Sequence, residues 1–312
     1  MKFVWAFAAL SPALSMCNLS AQTPPSDLQI LRNSGTPIKA VFRCTDDDLQ
    51  WAGMTCSDEE PCPIYLELLH IAAAGEKIFV TGDIHSASTT LYSVLLASGD
   101  AGTTWSEPFA RIRGSGLDQI QFFDSETGWI SGQNLQPLPR DPFLLLSTDG
   151  GKTWRKKAVL DEGSPGSISG FWFDSRKNGA LLMDLGQSET NRYRLYESPN
   201  GGESWTIRET SSQPIKISAM PRVTDETWRI RADAAIKAFR IEKRGEANWN
   251  AVSSFLPRIA ACKPEPREER TPPPETAEPP KPATDDFVRE LKLGGAPADA
   301  PKKRKSKPRE TP

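Results

Sequence analysis

Histidine is almost missing from this 312-residue chain, which carries only His70 and His85, and tyrosine is nearly as scarce with four. Two isolated histidines are too few for a histidine-rich metal centre, and each reads as an ordinary strand or loop residue, so neither a metal nor a cofactor is expected. Net charge is lacking as well. The 38 basic and 40 acidic residues leave −2, so no global field points to nucleic acid as a partner or to anionic lipid as the main one. Beyond the N-terminus no segment approaches the roughly 18 apolar residues that a membrane-spanning helix requires. No G-x-S-x-G, H-E-x-x-H or phosphate-binding glycine loop occurs, and no catalytic residue is named.

What is present begins with a leader-like segment. Residues 1–21 open with Lys2, continue through the apolar stretch Phe3 to Leu10 and Ala13 to Leu14, and reach small residues at Ser20-Ala21. That pattern reads as a secretory signal peptide cut near Ala21/Gln22, and it predicts a secreted or periplasmic protein. Leu14-Ser15-Met16-Cys17 is similar to a lipoprotein processing box that would place a lipid anchor on Cys17. Met16 stands where a small residue is wanted, which makes the anchor the minor reading. Removal of the leader leaves Cys44, Cys56, Cys62 and Cys262, an even number that reads as two disulfides in an oxidising compartment, with three pairings open. Cys56–Cys62 would close the short acidic loop Ser57 to Pro61. The five residues between those cysteines are wider than the tight pair of a zinc site.

The internal repeat is the main signal. Ser98-Gly99-Asp100-Ala101-Gly102-Thr103-Thr104-Trp105, Ser147 to Trp154 with Asp149 and Gly151, and Ser198 to Trp205 with Asn200 and Gly202 all fit S-x-[DN]-x-G-x-x-W. A weaker copy runs from Cys44 through Asp46 to Trp51, and a degenerate one ends at Trp249. The five tryptophans at 51, 105, 154, 205 and 249 are spaced by 54, 49, 51 and 44 residues, which suits four short strands with their turns. Ser and Asp side chains bond backbone N–H groups a few residues on, Gly supplies a positive φ, and Trp buries a large face at the start of the return strand. Between boxes, Gln119 to Phe123, Gly128 to Gly132, Phe143 to Leu146 and Trp154 to Val159 read as four strands, and the next repeat follows suit. The box residues are therefore expected to serve structure rather than to bind an ion.

Phe122-Phe123-Asp124-Ser125-Glu126-Thr127-Gly128-Trp129-Ile130-Ser131-Gly132, followed by the box ending at Trp154, resembles the repeat of photosystem II assembly and stability-factor-like propellers. More distantly, the pattern resembles the Asp-box (BNR-type) propellers that include sialidases and sortilin-type receptors. The resemblance implies an all-β small β-propeller over residues 38–262, of about five blades with four-stranded antiparallel sheets. It covers about four repeats and is specific for fold, whereas function resides in sites grafted on a fold.

Residues 22–37 are an N-terminal extension. Ile38 to Cys44 and Arg258 to Cys262 are strand-like, and if they share a sheet they close the ring, with Cys44–Cys262 as its seam. From 263 to 312 the chain holds 12 prolines and one aromatic, a composition expected to be disordered. Within it, Asp285 to Gly295 is either a chance apolar interruption or a short helix that docks on a partner. The basic run Lys302 to Arg309 reads as a solvated tail, because the segment as a whole carries 12 basic and 10 acidic residues.

The expected function is a non-catalytic exported propeller that binds a protein partner or assists assembly in the envelope or extracellular space. The alternative is a glycan-directed hydrolase or lectin of sialidase type. Phe42-Arg43 is followed by Cys44-Thr45 rather than by that family's early motif, and only Tyr65, Tyr92, Tyr193 and Tyr196 could supply its nucleophile.

Overall fold

The computed structural model describes residues 29–187, 189–216 and 226–264, which lie in the first of two compact units, Met1–Pro266. The leader, Cys17 and residues 265–312, with the Asp285 to Gly295 segment, lie outside the described residues.

Strands follow one another in antiparallel meanders. The first consists of β2 (Cys62–Ala74), β3 (Lys77–His85) and β4 (Thr90–Ser98), with β17 (Arg258–Cys262) on the free edge of β2. The second runs β6 (Ser115–Phe122), β7 (Gly128–Asn134), β8 (Arg140–Ser147), β9 (Arg155–Ala158); the third runs β10 (Ser167–Phe173), β11 (Gly179–Asp184), β12 (Tyr193–Ser198), β13 (Thr206–Ser211). A three-stranded sheet of β14 (Trp228–Asp233), β15 (Ala238–Arg244) and β16 (Trp249–Phe255) follows. A two-stranded pair, β1 (Leu31–Arg32) with β5 (Thr104–Trp105), completes the five sheets among the described residues. Phe143 to Leu146 of β8 are all buried, as a strand covered on both faces requires, while β9 at the outer edge is Arg-Lys-Lys-Ala and almost wholly exposed. Charge on that edge discourages pairing with another chain.

The core lies between sheets. Phe79 and Leu95 of the first pack with Ile120, Ile130 and Leu145 of the second, and Trp129 and Leu144 of the second pack with Phe171 and Leu181 of the third. Leu66 and Val80 of the first pack with Trp228, Ile241 and Phe255 of the β14–β16 sheet, which joins the last sheet to the first. Polar side chains join in: Gln119 accepts from Phe171 N–H and donates to its carbonyl (3.1 and 2.8 Å), and Gln121 does the same to Phe173 (2.9 and 2.8 Å). Two carboxamides thus replace a backbone ladder across the gap between β6 and β10.

The three full S-x-[DN]-x-G-x-x-W turns are superimposable in their bonds. Ser98 Oγ donates to Asp100 Oδ1 (2.8 Å) and accepts from Gly102 N–H (2.8 Å), while Asp100 accepts from Thr104 N–H (2.8 Å) and Thr104 Oγ1 (2.6 Å). Ser147, Asp149, Gly151 and Thr153 repeat the set, and Ser198, Asn200, Gly202 and Ser204 make the same contacts with one reversed, Asn200 Nδ2 donating to Ser204 Oγ. Each glycine has a left-handed φ (+87°, +70°, +92°) and faces the preceding sheet. A Cβ on Gly151 would meet Phe79 of β3 at 2.3 Å, and one on Gly202 would meet Phe173 of its own sheet at 3.3 Å and Leu144 of β8 at 3.5 Å. The same rule at Gly102 points to Val252 of β16 at 2.6 Å, so the β14–β16 sheet precedes the first in the ring. A ring of antiparallel meanders joined in this way is a β-propeller.

Two expectations are corrected. The weak copy at Asp46 and Trp51 is not a turn between strands but α1 (Asp46–Ala52), because Cys44 and Asp48 stand where the other copies have the serine and glycine that build the turn. Thr45 and Asp48 instead form a capping box, and Gly53 (φ +62°) ends the helix. Ile38 to Cys44 does not share a sheet with Arg258 to Cys262: Ile38 makes a single parallel bridge to Phe255, and β17 pairs with Cys62 to Tyr65. The last copy does end a hairpin, with Trp249 opposite Arg244 at the start of β16.

Candidate functional site

The connections β3–β4, β7–β8 and β11–β12 occupy equivalent positions in their meanders and emerge at the end opposite the S-x-[DN]-x-G-x-x-W turns. Local bonds stiffen each one. Ser86 Oγ accepts from Ser88 and Thr89 N–H (3.3 and 3.1 Å), and Asn134 Oδ1 accepts from Gln136 N–H (2.9 Å). Asp184 takes both Nε and Nη2 of Arg192 (2.5 and 2.6 Å). Those Arg192 bonds hold the Asp184 carboxyl below its ordinary range.

Two clefts lie on this rim. One, of about 450 Å³, is lined by Leu138, Pro139, Pro165, Leu185 and the Asp184–Arg192 pair. The other, of about 520 Å³, lies between Ser86 to Thr90 and Leu135 to Pro137 and has Glu67, Asp83 and His85 on its floor. Leu138 stands at the β7–β8 connection and is 72% exposed, more than any other large apolar side chain among the described residues.

The acidic floor comes from strand register. Glu67 lies opposite Asp83 and Tyr65 opposite His85 in the β2–β3 pair, which puts Glu67, Asp83 and His85 ligand atoms within 4.8 Å of one another. Asp83 is 7% exposed. Burial raises its carboxyl to about 6, opposed by His85 and reinforced by Glu67 and Asp118. Burial also raises Asp118, against the hydrogen bond from Gln133 Nε2 (2.8 Å). Gln133 is buried, and its Oε1 has no partner. The His85 ring stacks on Tyr65 (5.6 Å between centroids) and places Nδ1 2.7 Å from the Ser86 carbonyl.

The residues singled out from sequence fall elsewhere. Asp100, Asp149 and Asn200 are consumed in their own turns at the other end, with Trp105 and Trp154 buried beneath them. Cys44 is joined to Cys262 and Cys56 to Cys62; the two bridges are neighbours, because Cys62 lies opposite Cys262 in the β17–β2 pair. Glu67, Asp83, Asp118, Gln133 and Leu138 carried no motif. No helix among the described residues is long and apolar enough to cross a membrane.

No protein-family model and no curated protein matches the chain. Among solved structures it is similar to YCF48 bound to D1 peptide, at 16% identity and TM-score 0.36 over 61% of this chain and 56% of that one. It is also similar to YCF48 from Cyanidioschyzon merolae, at 17% and 0.32 over 61% and 57%. Oligopeptidase B from Leishmania major follows at 11% and 0.30, over 62% of this chain and 28% of that one. The chain spans just over half the length of the two YCF48 structures, and its fold rests on the strand pairing described above.

Proposed function

We propose that this chain is a non-catalytic exported propeller that holds a protein partner on the β3–β4, β7–β8 and β11–β12 rim, with assembly in the envelope or extracellular space as its setting. The observation that carries the reading is Leu138, an apolar side chain left in water on a stiffened connection and lining a cleft that Pro139, Pro165 and Leu185 share with the Asp184–Arg192 pair. An apolar anchor beside a fitting cavity is the arrangement from which interface hot spots are built. The partner would present an apolar side chain to the Leu185 cleft and cover Leu138. In this reading the S-x-[DN]-x-G-x-x-W turns are Asp boxes that hold the scaffold, and residues 1–21 direct export. N-terminal sequencing of the mature protein tests that last point, with Gln22 as the expected first residue.

A photo-crosslinking residue at position 138 is expected to capture one recurrent protein that the same residue at Lys177, on the opposite end, does not. Leu138→Asp is expected to leave stability within about 0.5 kcal/mol, as surface changes do, while weakening that purified partner's binding more than tenfold. Equal capture at both positions defeats the proposal.

One observation favours a glycan hydrolase as second reading: the Glu67 and Asp83 carboxylates share a cleft floor, one exposed and one buried. Paired carboxylates are the machinery of most glycosidases. Turnover of sialosides or β-glucans that vanishes in Asp83→Asn would replace the scaffold reading with this one.

A further inference from the structure

We propose that Glu67, Asp83 and His85 form a binding site for a first-row divalent transition ion, of which Zn²⁺ is the probe. The site is separate from the apolar cleft beside Leu138 and does not depend on the partner reading. Three carboxylates and imidazoles near one another are common without an ion, so the argument rests on how the surrounding groups prepare them.

The first preparation is at His85. The Ser86 carbonyl has no proton to give, so the 2.7 Å contact requires Nδ1 to carry the hydrogen. In the neutral ring Nε2 is then a bare lone pair, and it faces the cleft 3.9 Å from Glu67 Oε2. A ligating histidine ordinarily donates its other N–H to a carbonyl or carboxylate in this way, which fixes tautomer and ring orientation. The Tyr65 ring stacked on His85 holds the plane of the imidazole.

The second preparation is behind Asp83. Its carboxylate is almost fully buried. Gly116 pairs with Gln133 across β6 and β7, so a Cβ at 116 and the Gln133 side chain share a face, and that Cβ position is 3.8 Å from Asp83 Oδ2. Gln133 and Asp83 thus both border the Gly116 position. Its Nε2 is spent on Asp118, whereas its Oε1 is buried with no donor. An unmet acceptor in that position costs about 1 to 3 kcal/mol unless a donor arrives, and a water bound to an ion held by Asp83 is a donor.

Geometry and donor type set the class of ion. A tetrahedral ion with ligands at about 2.1 Å holds its donors roughly 3.4 Å apart, so the 3.9 Å between Glu67 and His85 and the separations of up to 4.8 Å across the three groups require the side chains to draw in on the ion. That separation exceeds a hydrogen bond, and it is an ion pair only with a protonated imidazole. One imidazole with two carboxylates suits Zn²⁺ or Mn²⁺, whereas Ca²⁺ and Mg²⁺ prefer oxygen alone. Three protein ligands on an open cleft leave at least one position to water or to an incoming group.

The test uses the full chain, oxidised and without a histidine tag, titrated with ZnCl₂ by calorimetry and followed by X-ray absorption. One equivalent is expected, with nitrogen and oxygen but no sulfur neighbours, and with CaCl₂ unable to compete. Binding should fall more than tenfold in His85→Ala and in Glu67→Gln, both at partly exposed positions that tolerate change, and by roughly tenfold in Gln133→Leu, the usual effect of removing an outer partner. Zn²⁺ should raise the thermal midpoint of the wild type and not of His85→Ala. Absence of stoichiometric uptake at submillimolar Zn²⁺, sulfur in the absorption spectrum, or uptake unchanged in His85→Ala would overturn the proposal.

Discussion

Gly151 shows how much one hydrogen atom in place of a methyl decides here. Its φ of +70° costs a residue with a Cβ about 1 to 2 kcal/mol, and the Phe79 ring 2.3 Å from that Cβ position adds an overpacking cost of about 1 to 3 kcal/mol. Gly163 has a similar φ of +81° with nothing within 4 Å. Gly151→Ala is therefore expected to lose roughly 2 to 5 kcal/mol and Gly163→Ala only about 1 to 2. Denaturant midpoints at unchanged slope check the contrast, and equal losses would mean that the Phe79 contact contributes nothing. Gln121 is the polar counterpart. Gln121→Leu leaves the Phe173 N–H and carbonyl without their side-chain partners in a buried gap. At about 1 to 3 kcal/mol for each orphaned group the loss is roughly 2 to 6 kcal/mol, and the partly exposed Gln119→Leu should lose less. The glycines were legible in sequence because a turn with positive φ announces itself locally. The glutamines were not, since nothing in Gln-x-Gln says that the neighbouring sheet stops one hydrogen-bond length away.

At the scale of elements, the three turns differ in one respect that pH can read. Hydrogen bonds from Thr104 hold Asp100 down to about 2, and at Asp149 burial pushes upward but the hydrogen bonds from Thr153, Ser147 and Lys152 together lower the carboxyl. Both are depressed relative to an unfolded Asp near 3.9. Their contribution is thus complete above about pH 4 and is lost as pH falls toward 2. Asn200 does not titrate and makes the same turn, donating to Ser204 Oγ instead of accepting from it. Asp100→Asn with Asp149→Asn is expected to flatten the fall in thermal midpoint between pH 4 and pH 2 while changing little at pH 7. An acid limb identical to that of the wild type would refute the assignment. These turns could be read from the sequence because all their partners lie within five residues. The floor of the acidic cleft could not. Extending the β2–β3 register from the Ala74↔Lys77 end would set Leu68 opposite Asp83; a bulge between Leu68 and His70 puts Glu67 there instead. A one-residue slip exchanges the two faces of a strand, and no periodicity rule places that bulge in advance. The weak copy at Trp51 misled for a related reason, since its Ser and Gly positions are Cys44 and Asp48 and only the Asp and Trp match.

For the whole molecule the question is what holds the two ends of the ring together. Cys44 and Cys262 are 218 residues apart and Cys56 and Cys62 only 6. In the chain-entropy picture these loops constrain the unfolded state by about 5 and about 2 kcal/mol respectively, so the long bridge should dominate. The pairing was legible once the repeat implied a closed ring, although the partner strand was not: β17 joins β2 directly, and Cys44 reaches it from the segment before α1 rather than from a strand. That detail sharpens the test. Because Cys62 lies opposite Cys262, deleting Cys44 alone would leave a thiol beside the short bridge and invite exchange, so both members of each pair must be replaced together. Cys44→Ala with Cys262→Ala is expected to destabilise at least twice as much as Cys56→Ala with Cys62→Ala, measured by denaturant unfolding in non-reducing buffer. Peptide mapping of the native chain should recover Cys44 joined to Cys262. Recovery of Cys44 with Cys56 or Cys62, or a larger loss from removing the short bridge, would show that the ring is held by its packed sheets and not by this covalent seam.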